Sequence, residues 1–520
     1  MSVSFVEGRL ARGRRIFQIV VVLVLAIFLA GLVGLVMIAS AATRLLDNAT
    51  PIYSDIGEHF KYGSIGSEPT SGLPLAVWQA LPGLFPEAFE GRDDYSAFGF
   101  TYEVDEGGTQ RDLPVGISQR AYRGIELVWF NCAVCHAGTV RQSTGAEPEL
   151  VLAMPAHMFD LGRFIDFILN ASNDERIGPD ILLERIEEEQ ELGLIDGLIW
   201  RYVVMPRLRE ELIIRRARLK ELKDSQPPWG PGRVDTFNPY KTLAFGQGLD
   251  ELDPSERLGA SDFPSIFLQG PREGMQLHWD GNNDSLAERN LSAALGAGVT
   301  PETVDHPAIE RVAAWLADLP PPASPHNPPA DAVARGRTLY MDGCAACHGY
   351  QGDSGYVFAG ERLGKVEPLD TIGTDRARLD SYTAEFAARQ RSDFFAGTPY
   401  QFTHFQKTDG YANAPLDGLW LRAPYLHNGS VPSLAALLAP PDERPAAFQR
   451  GSNVVDSENG GFLSPPCDPA APATAAEAAT DKGAFCFDTT LPGNGNGGHT
   501  YGTDLSADEK ADLLAYLKTF

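Results

Sequence analysis

Cys344-Ala345-Ala346-Cys347-His348 is the stretch from which the rest of the chain is read. Two cysteines two residues apart, with a histidine directly after the second, form the attachment sequence for a c-type haem. The spacing has a chemical cause. The two thiols add across the vinyl groups of one porphyrin, and the adjoining imidazole is held beneath the iron as its proximal ligand. The pattern recurs upstream as Cys132-Ala133-Val134-Cys135-His136. That repetition makes a lone Cys-x-x-Cys redox pair, or half of a zinc site, the weaker reading.

The repetition extends outward. Arg123-Gly124-Ile125-Glu126-Leu127 precedes the first motif at the distance at which Arg335-Gly336-Arg337-Thr338-Leu339 precedes the second. Each reads as a short amphipathic run ending at the haem cysteines. Ala314-Trp315-Leu316 and Ala515-Tyr516-Leu517 lie further on, in helical runs of similar pattern. One helix entering the haem motif and a last helix closing over it is the plan of class I cytochrome c domains. The expected fold is therefore mainly α, with two tandem domains of that kind enlarged by loop and helical insertions.

Boundaries follow from composition. Residues 1–45 hold Arg9, Arg12, Arg14 and Arg15, then an apolar run from Ile16 to Ala39 that only Gln18 interrupts. About 20 apolar residues suffice to cross a bilayer. The arginines favour the cytoplasmic side, which sends everything after Arg44 outside. A cleaved signal peptide with Ala39-Ser40-Ala41 at its end is the rival, but the run exceeds the usual core of about 7–15 residues. The expectation is a retained single-pass anchor in a bacterial cytoplasmic membrane, with the haem domains in the periplasm. Residues 46–318 form the N-terminal haem domain. Within it, 174–223 reads as a helical insertion, acidic first (Glu184, Glu187, Glu188, Glu189) and basic later (Arg207, Arg209, Arg215, Arg216, Arg218). The proline-rich 319–330 is a semi-rigid connector, and 331–520 is the C-terminal haem domain.

A chain of 520 residues has material for two or three domains, each with its own core. The formal charge of −26 excludes a nucleic-acid role, because phosphate binding needs a basic face. It suits solubility and a basic redox partner. Of six cysteines, four serve the haems. Cys467 and Cys486 remain, and a disulfide between them fits an oxidising compartment.

Several further stretches carry a family likeness: Trp279-Asp280-Gly281, Leu421-Arg422-Ala423-Pro424-Tyr425-Leu426-His427-Asn428-Gly429-Ser430, and Gly498-His499-Thr500-Tyr501-Gly502. Together with the two haem motifs they make the chain, from about Arg120 onward, resemble the bacterial di-haem cytochrome c peroxidase superfamily. Within it the closest likeness is to the di-haem rubber-oxygenase-like c-type cytochromes. The resemblance implies two covalently bound haem c groups, with Trp279 as an electron bridge between them. It implies His136 and His348 as proximal ligands, and His499, just before the last helix, as sixth ligand of the C-terminal haem. The glycine-rich Pro492–Gly498 permits unusual backbone on the approach to that ring, and Ser506 and Glu509 have capping-box spacing for the helix that follows. His427 is the runner-up ligand, His157 is a candidate on the first haem, and His278 is a further candidate haem ligand. The superfamily also holds calcium at its domain interface, although no acidic ligand loop establishes one here.

The departures bear on the chemistry. Peroxidases of this superfamily place a glutamine about ten residues after the tryptophan, then a glutamate; here Arg289 and Asn290 fall near the first place, and Ala293–Thr300 holds no acid. Rubber oxygenases carry a phenylalanine in that region, where this chain reads Leu291-Ser-Ala-Ala-Leu-Gly-Ala-Gly298. Trp279, Arg289 and Asn290 are therefore the candidate catalytic residues. The expected function is a haem oxidoreductase of peroxidase or oxygenase type, with one electron-transfer haem and one ligand-accessible haem. It would take electrons from a redox partner protein or a quinol-derived donor and act on a small-molecule oxidant or substrate. The alternative is a pure electron-transfer cytochrome with both irons six-coordinate.

Overall fold

The computed structural model describes residues 3–45, 48–105, 107–190, 192–471 and 485–520. It mixes helices with small antiparallel sheets of two or three strands, so the expected mainly helical fold is met only in part. The N-terminal helix Val3–Leu45 carries the apolar segment Arg12–Val36. That segment exposes its side chains (Phe28 is 71% accessible) and is long enough either to cross a bilayer or to serve as a signal sequence.

The C-terminal half has the expected helical arrangement around its haem motif. Helix Ala330–Gly343 runs into Cys344, and the last helix, Ala507–Leu517, packs across it. A side chain at Gly336 would strike the Asp512 carbonyl, so the crossing requires glycine there. Beside it, Arg335 donates to both Asp512 carboxylate oxygens at 2.7 and 2.8 Å, and Tyr340 meets Tyr516 edge-on at 5.2 Å. Ser506 and Glu509 form the predicted capping box.

The N-terminal half differs from expectation. No helix enters Cys132 from the residues before it. Ile117–Tyr122 and Ile125–Phe130 form a hairpin instead, closed by Arg123 and Gly124, both at positive φ (53° and 74°). The cause is composition. Ile125-Glu-Leu-Val-Trp-Phe130 is rich in β-branched and aromatic residues, and a two-residue turn with both φ positive matches the twist of paired strands. The amphipathic run is real, but its period is that of a strand.

The insertion is helical, as expected. Pro179–Glu189, Leu194–Ile199 and Met205–Asp224 are linked by a π-helical turn at Trp200–Val204. Leu208 and Leu212 bury against an aromatic core containing Phe164, Phe167 and Trp78, the last stacked on Tyr95 at 3.7 Å. A second core draws Phe60, Met154 and Ile266 together with Trp420, Leu421 and Tyr516. The two halves therefore share apolar interior across the connector, where separate cores were expected. The connector itself is a strap: Trp420 Nε1 donates to Pro322 O at 3.2 Å and Ser324 Oγ to Lys518 O at 2.5 Å.

Cys467 and Cys486 are disulfide-bonded across a sequence separation of 19. Cys486 lies in strand Phe485–Asp488, paired with Ala447–Arg450. Replacing both cysteines by serine is expected to cost about 3 kcal/mol through the freed loop entropy of the unfolded chain. Denaturant titration checks this, and an unchanged midpoint refutes it.

Candidate haem centres

Each motif histidine follows its cysteines on a short helical turn, Ala133–His136 and Ala345–His348. Each is fixed in the same way. His136 Nδ1 donates to Pro264 O at 2.9 Å, and His348 Nδ1 donates to Ala414 O at 2.8 Å. With Nδ1 spent on a carbonyl, the Nε2 lone pair of each ring is left for a metal. Burial pushes both imidazoles below the ordinary histidine range, His136 to about 4 with a further contribution from the Arg289 charge, so both are neutral near pH 7. None of the four motif cysteines is disulfide-bonded.

Opposite His348 stands His499, with ring centroids 6.2 Å apart. A ligating imidazole nitrogen sits roughly 2 Å from its metal, so two rings on opposite sides of one iron have centroids roughly 6 Å apart. The observed separation fits. His499 Nδ1 is buried with no hydrogen-bond partner, and burial, with His348 close by, lowers its pKa to about 4. Its backbone is left-handed, at φ 44°. Arg444 holds the approach: its guanidinium donates to the carbonyls of Asn496 (2.6 Å), Gly498 (2.9 Å) and His499 (3.2 Å), and to those of Ala439 and Leu437. On the other side, His499 N donates to Ile372 O at 2.7 Å. Among the described residues, no second imidazole faces His136 as His499 faces His348.

Trp279 bonds to both loops that hold the motif histidines. Its Nε1 donates to Asp262 O at 2.9 Å, two residues before the carbonyl that holds His136. Its own carbonyl accepts from Ala412 N at 2.8 Å, two residues before the carbonyl that holds His348. One residue thus ties together the two loops whose carbonyls hold His136 and His348. Asn290 Nδ2 donates to Gln269 Oε1 at 3.0 Å, which fastens it to the loop preceding Trp279. Arg289 lies on the helix Leu286–Gly296, whose Leu291, Ala294 and Leu295 belong to a core that packs against Cys132.

The remaining candidate histidines are engaged elsewhere. His427 stacks on Tyr411 at 4.0 Å, and its Nε2 meets the Tyr411 hydroxyl at 3.0 Å. His157 stacks on Phe462 at 4.2 Å. His278 Nδ1 donates to Asn282 Oδ1 at 2.6 Å. Among the described residues no group of three or more His, Cys, Asp or Glu side chains is placed to hold a metal ion. Pro264, Ala414 and Arg444 escape a sequence reading: two act through backbone carbonyls, and the third is one of many surface-like arginines until the loop closes on it.

The donor set fits haem c: two thiols and a neutral, carbonyl-anchored imidazole at each motif, with a second imidazole at the right separation in one of them. Residues 410–449, which carry Ala414, His427 and Arg444, match a family described as RoxA-like, cytochrome c-like. "Uncharacterized protein y4iJ" of Sinorhizobium fredii (strain NBRC 101917 / NGR234) is 30% identical over 496 residues, covering 76% of this chain and 77% of its own length. This chain belongs to the y4iJ family. A second protein of that strain, "Uncharacterized protein y4iM", is 30% identical over 290 residues, and the match spans 50% of this chain and 64% of y4iM. The RoxA-like segment links this y4iJ relative to rubber-oxygenase-like c-type cytochromes and implies haem c.

Proposed function

We propose that this y4iJ family member is a di-haem c-type oxidoreductase with two unequal centres, working outside the cytoplasmic membrane and anchored through Arg12–Val36. Haem c, when bound, supplies one-electron redox chemistry and, where an axial position is open, binding of a small ligand. His348 and His499 would hold the haem of the C-terminal motif between them, which would suit it to carrying electrons. His136 fills one position of the N-terminal centre and leaves the other for a peroxide-like oxidant or dioxygen. Trp279 couples them through the loops at Asp262–Pro264 and Ala412–Ala414, and Arg289 stands by the open centre. Electrons arrive from a redox protein or a quinol-derived donor.

The observation that carries this is the asymmetry itself: one proximal imidazole faces a second ring at 6.2 Å, and the other has no such counterpart among the described residues. Electron paramagnetic resonance of the ferric protein tests it. One low-spin and one high-spin haem are expected; two low-spin haems that resist cyanide support a pure relay and refute the open centre.

A further inference from the structure

Among the described residues, Arg233, Arg422 and Arg450 each leave a buried Nε without a partner but have both terminal nitrogens answered. Arg444 binds five carbonyls, and Arg450 binds the Asp262 carboxylate and the Gly429 carbonyl. Arg289 is different. Its Nε and Nη2 are both buried, and neither has a hydrogen-bond partner. The largest charge effect on it comes from another cation, Arg272, which is already paired with Asp417. A buried donor without a partner bears its full desolvation cost, more so when charged, so a guanidinium held this way suits an anion not supplied by the polypeptide.

Position narrows which anion. The Arg289 charge acts on Cys132 and on His136, and also on His278, while its helix packs against Cys132. In a c-type haem the thioether cysteines join the pyrroles that lie across the macrocycle from the two propionates. A guanidinium on a helix packed against Cys132, with its charge reaching His136, therefore lies toward the thioether edge, away from the propionate edge. We propose that Arg289 makes the open position above His136 selective for small anionic ligands, by donating a charge-assisted hydrogen bond to the bound anion.

This rests on the open-centre reading above, and the test separates the two. Full-length ferric protein is titrated with fluoride and azide, and with neutral imidazole; the ferrous protein is titrated with carbon monoxide, all followed by absorption. In wild type, the charge-transfer band of the fluoride complex is expected at the long-wavelength position produced by hydrogen donation to the bound fluoride. In Arg289→Gln, fluoride and azide affinities are expected to fall about 10- to 100-fold, while imidazole and carbon monoxide stay within about two-fold. Arg289→Lys, which keeps the charge, is expected to fall in between. Covalent retention of both haems and an unchanged circular dichroism spectrum establish that the variants fold, and the wild-type fluoride band gives a result that needs no variant. Equal losses for anionic and neutral ligands, or no loss, overturn the proposal. So does a shifted midpoint potential with unchanged ligand affinities, which would place the guanidinium on a propionate. If wild type binds none of the four ligands, the open centre itself fails.

Discussion

Replacing His499 by glycine is expected to turn the C-terminal haem from six-coordinate low spin to five-coordinate high spin, while the N-terminal haem keeps its spectrum. The ring faces His348 at 6.2 Å, and among the described residues no other imidazole faces it. Added imidazole should restore the low-spin signal in the vacated space. A non-glycine residue in the left-handed region costs on the order of 1–3 kcal/mol, and His499 sits there at φ 44°. The offset comes from Arg444, whose guanidinium gathers five carbonyls from both ends of the loop, and from the Ile372 carbonyl. Arg444→Met should therefore give part of the His499→Gly spectrum with the histidine still present, as a mixture of spin states shifting with temperature. Resonance Raman spin-state markers read both. A His499→Gly protein with an unaltered spectrum would remove His499 from the iron, and an Arg444→Met protein with wild-type coordination would remove Arg444 from the role of clamp.

What the sequence made legible divides by range. The two Cys-x-x-Cys-His motifs, the capping box at Ser506 and Glu509, and the disulfide partners are visible because each depends on residue types at short or fixed spacing. The entry to the first haem motif is hard to read locally because Arg123–Leu127 and Arg335–Leu339 both open on Arg-Gly and end on leucine; only β-branched and aromatic content separates a strand from a helix over so short a run. The shared core was hidden for another reason. Phe60 and Leu421 each look like members of a local domain, and nothing local states that they bury in one cluster. Likeness alone marks Trp279 as a bridge; its hydrogen bonds, which end two residues from the carbonyls that hold His136 and His348, are not legible in the sequence. Arg289 was picked for its place in the chain. Its unanswered nitrogens became visible only once Cys132 and the helix Leu286–Gly296 were brought together.

The route through Trp279 depends on Asp262, and that residue is the place where a single change should cost the most stability. Asp262 ends strand Ala260–Asp262, opposite Arg233. Its backbone N donates to His427 O at 2.9 Å while its backbone carbonyl receives Trp279 Nε1. Its carboxylate accepts from Arg450 Nη2 at 2.8 Å, with Arg233 Nε at 3.9 Å. Arg450 Nη1 closes the group on Gly429 O at 2.9 Å. Gly429 is at φ 63°, and a side chain there would strike the Asp262 carboxylate, which accounts for the glycine in Leu-His-Asn-Gly-Ser. Burial raises the Asp262 pKa even with two arginines opposing it. Removing the better-placed arginine leaves a buried carboxylate with no donor at hydrogen-bond distance. Breaking such a pair typically costs about 3–5 kcal/mol, a large part of the roughly 5–15 kcal/mol that holds a domain folded. Arg233 moderates the loss, because burial and the Arg450 charge lower its pKa to about 9 and removing Arg450 relieves that repulsion. Arg450→Met is therefore expected to sit toward the lower end of that range, with a matching fall in the denaturation midpoint. Asp262→Asn combined with Arg450→Met should recover part of the loss, since the uncompensated charge is then gone. If Arg450→Met and the double variant unfold at the wild-type midpoint, Asp262 is not held by its charge, and the loop that carries the Trp279 contact must be fixed by packing alone.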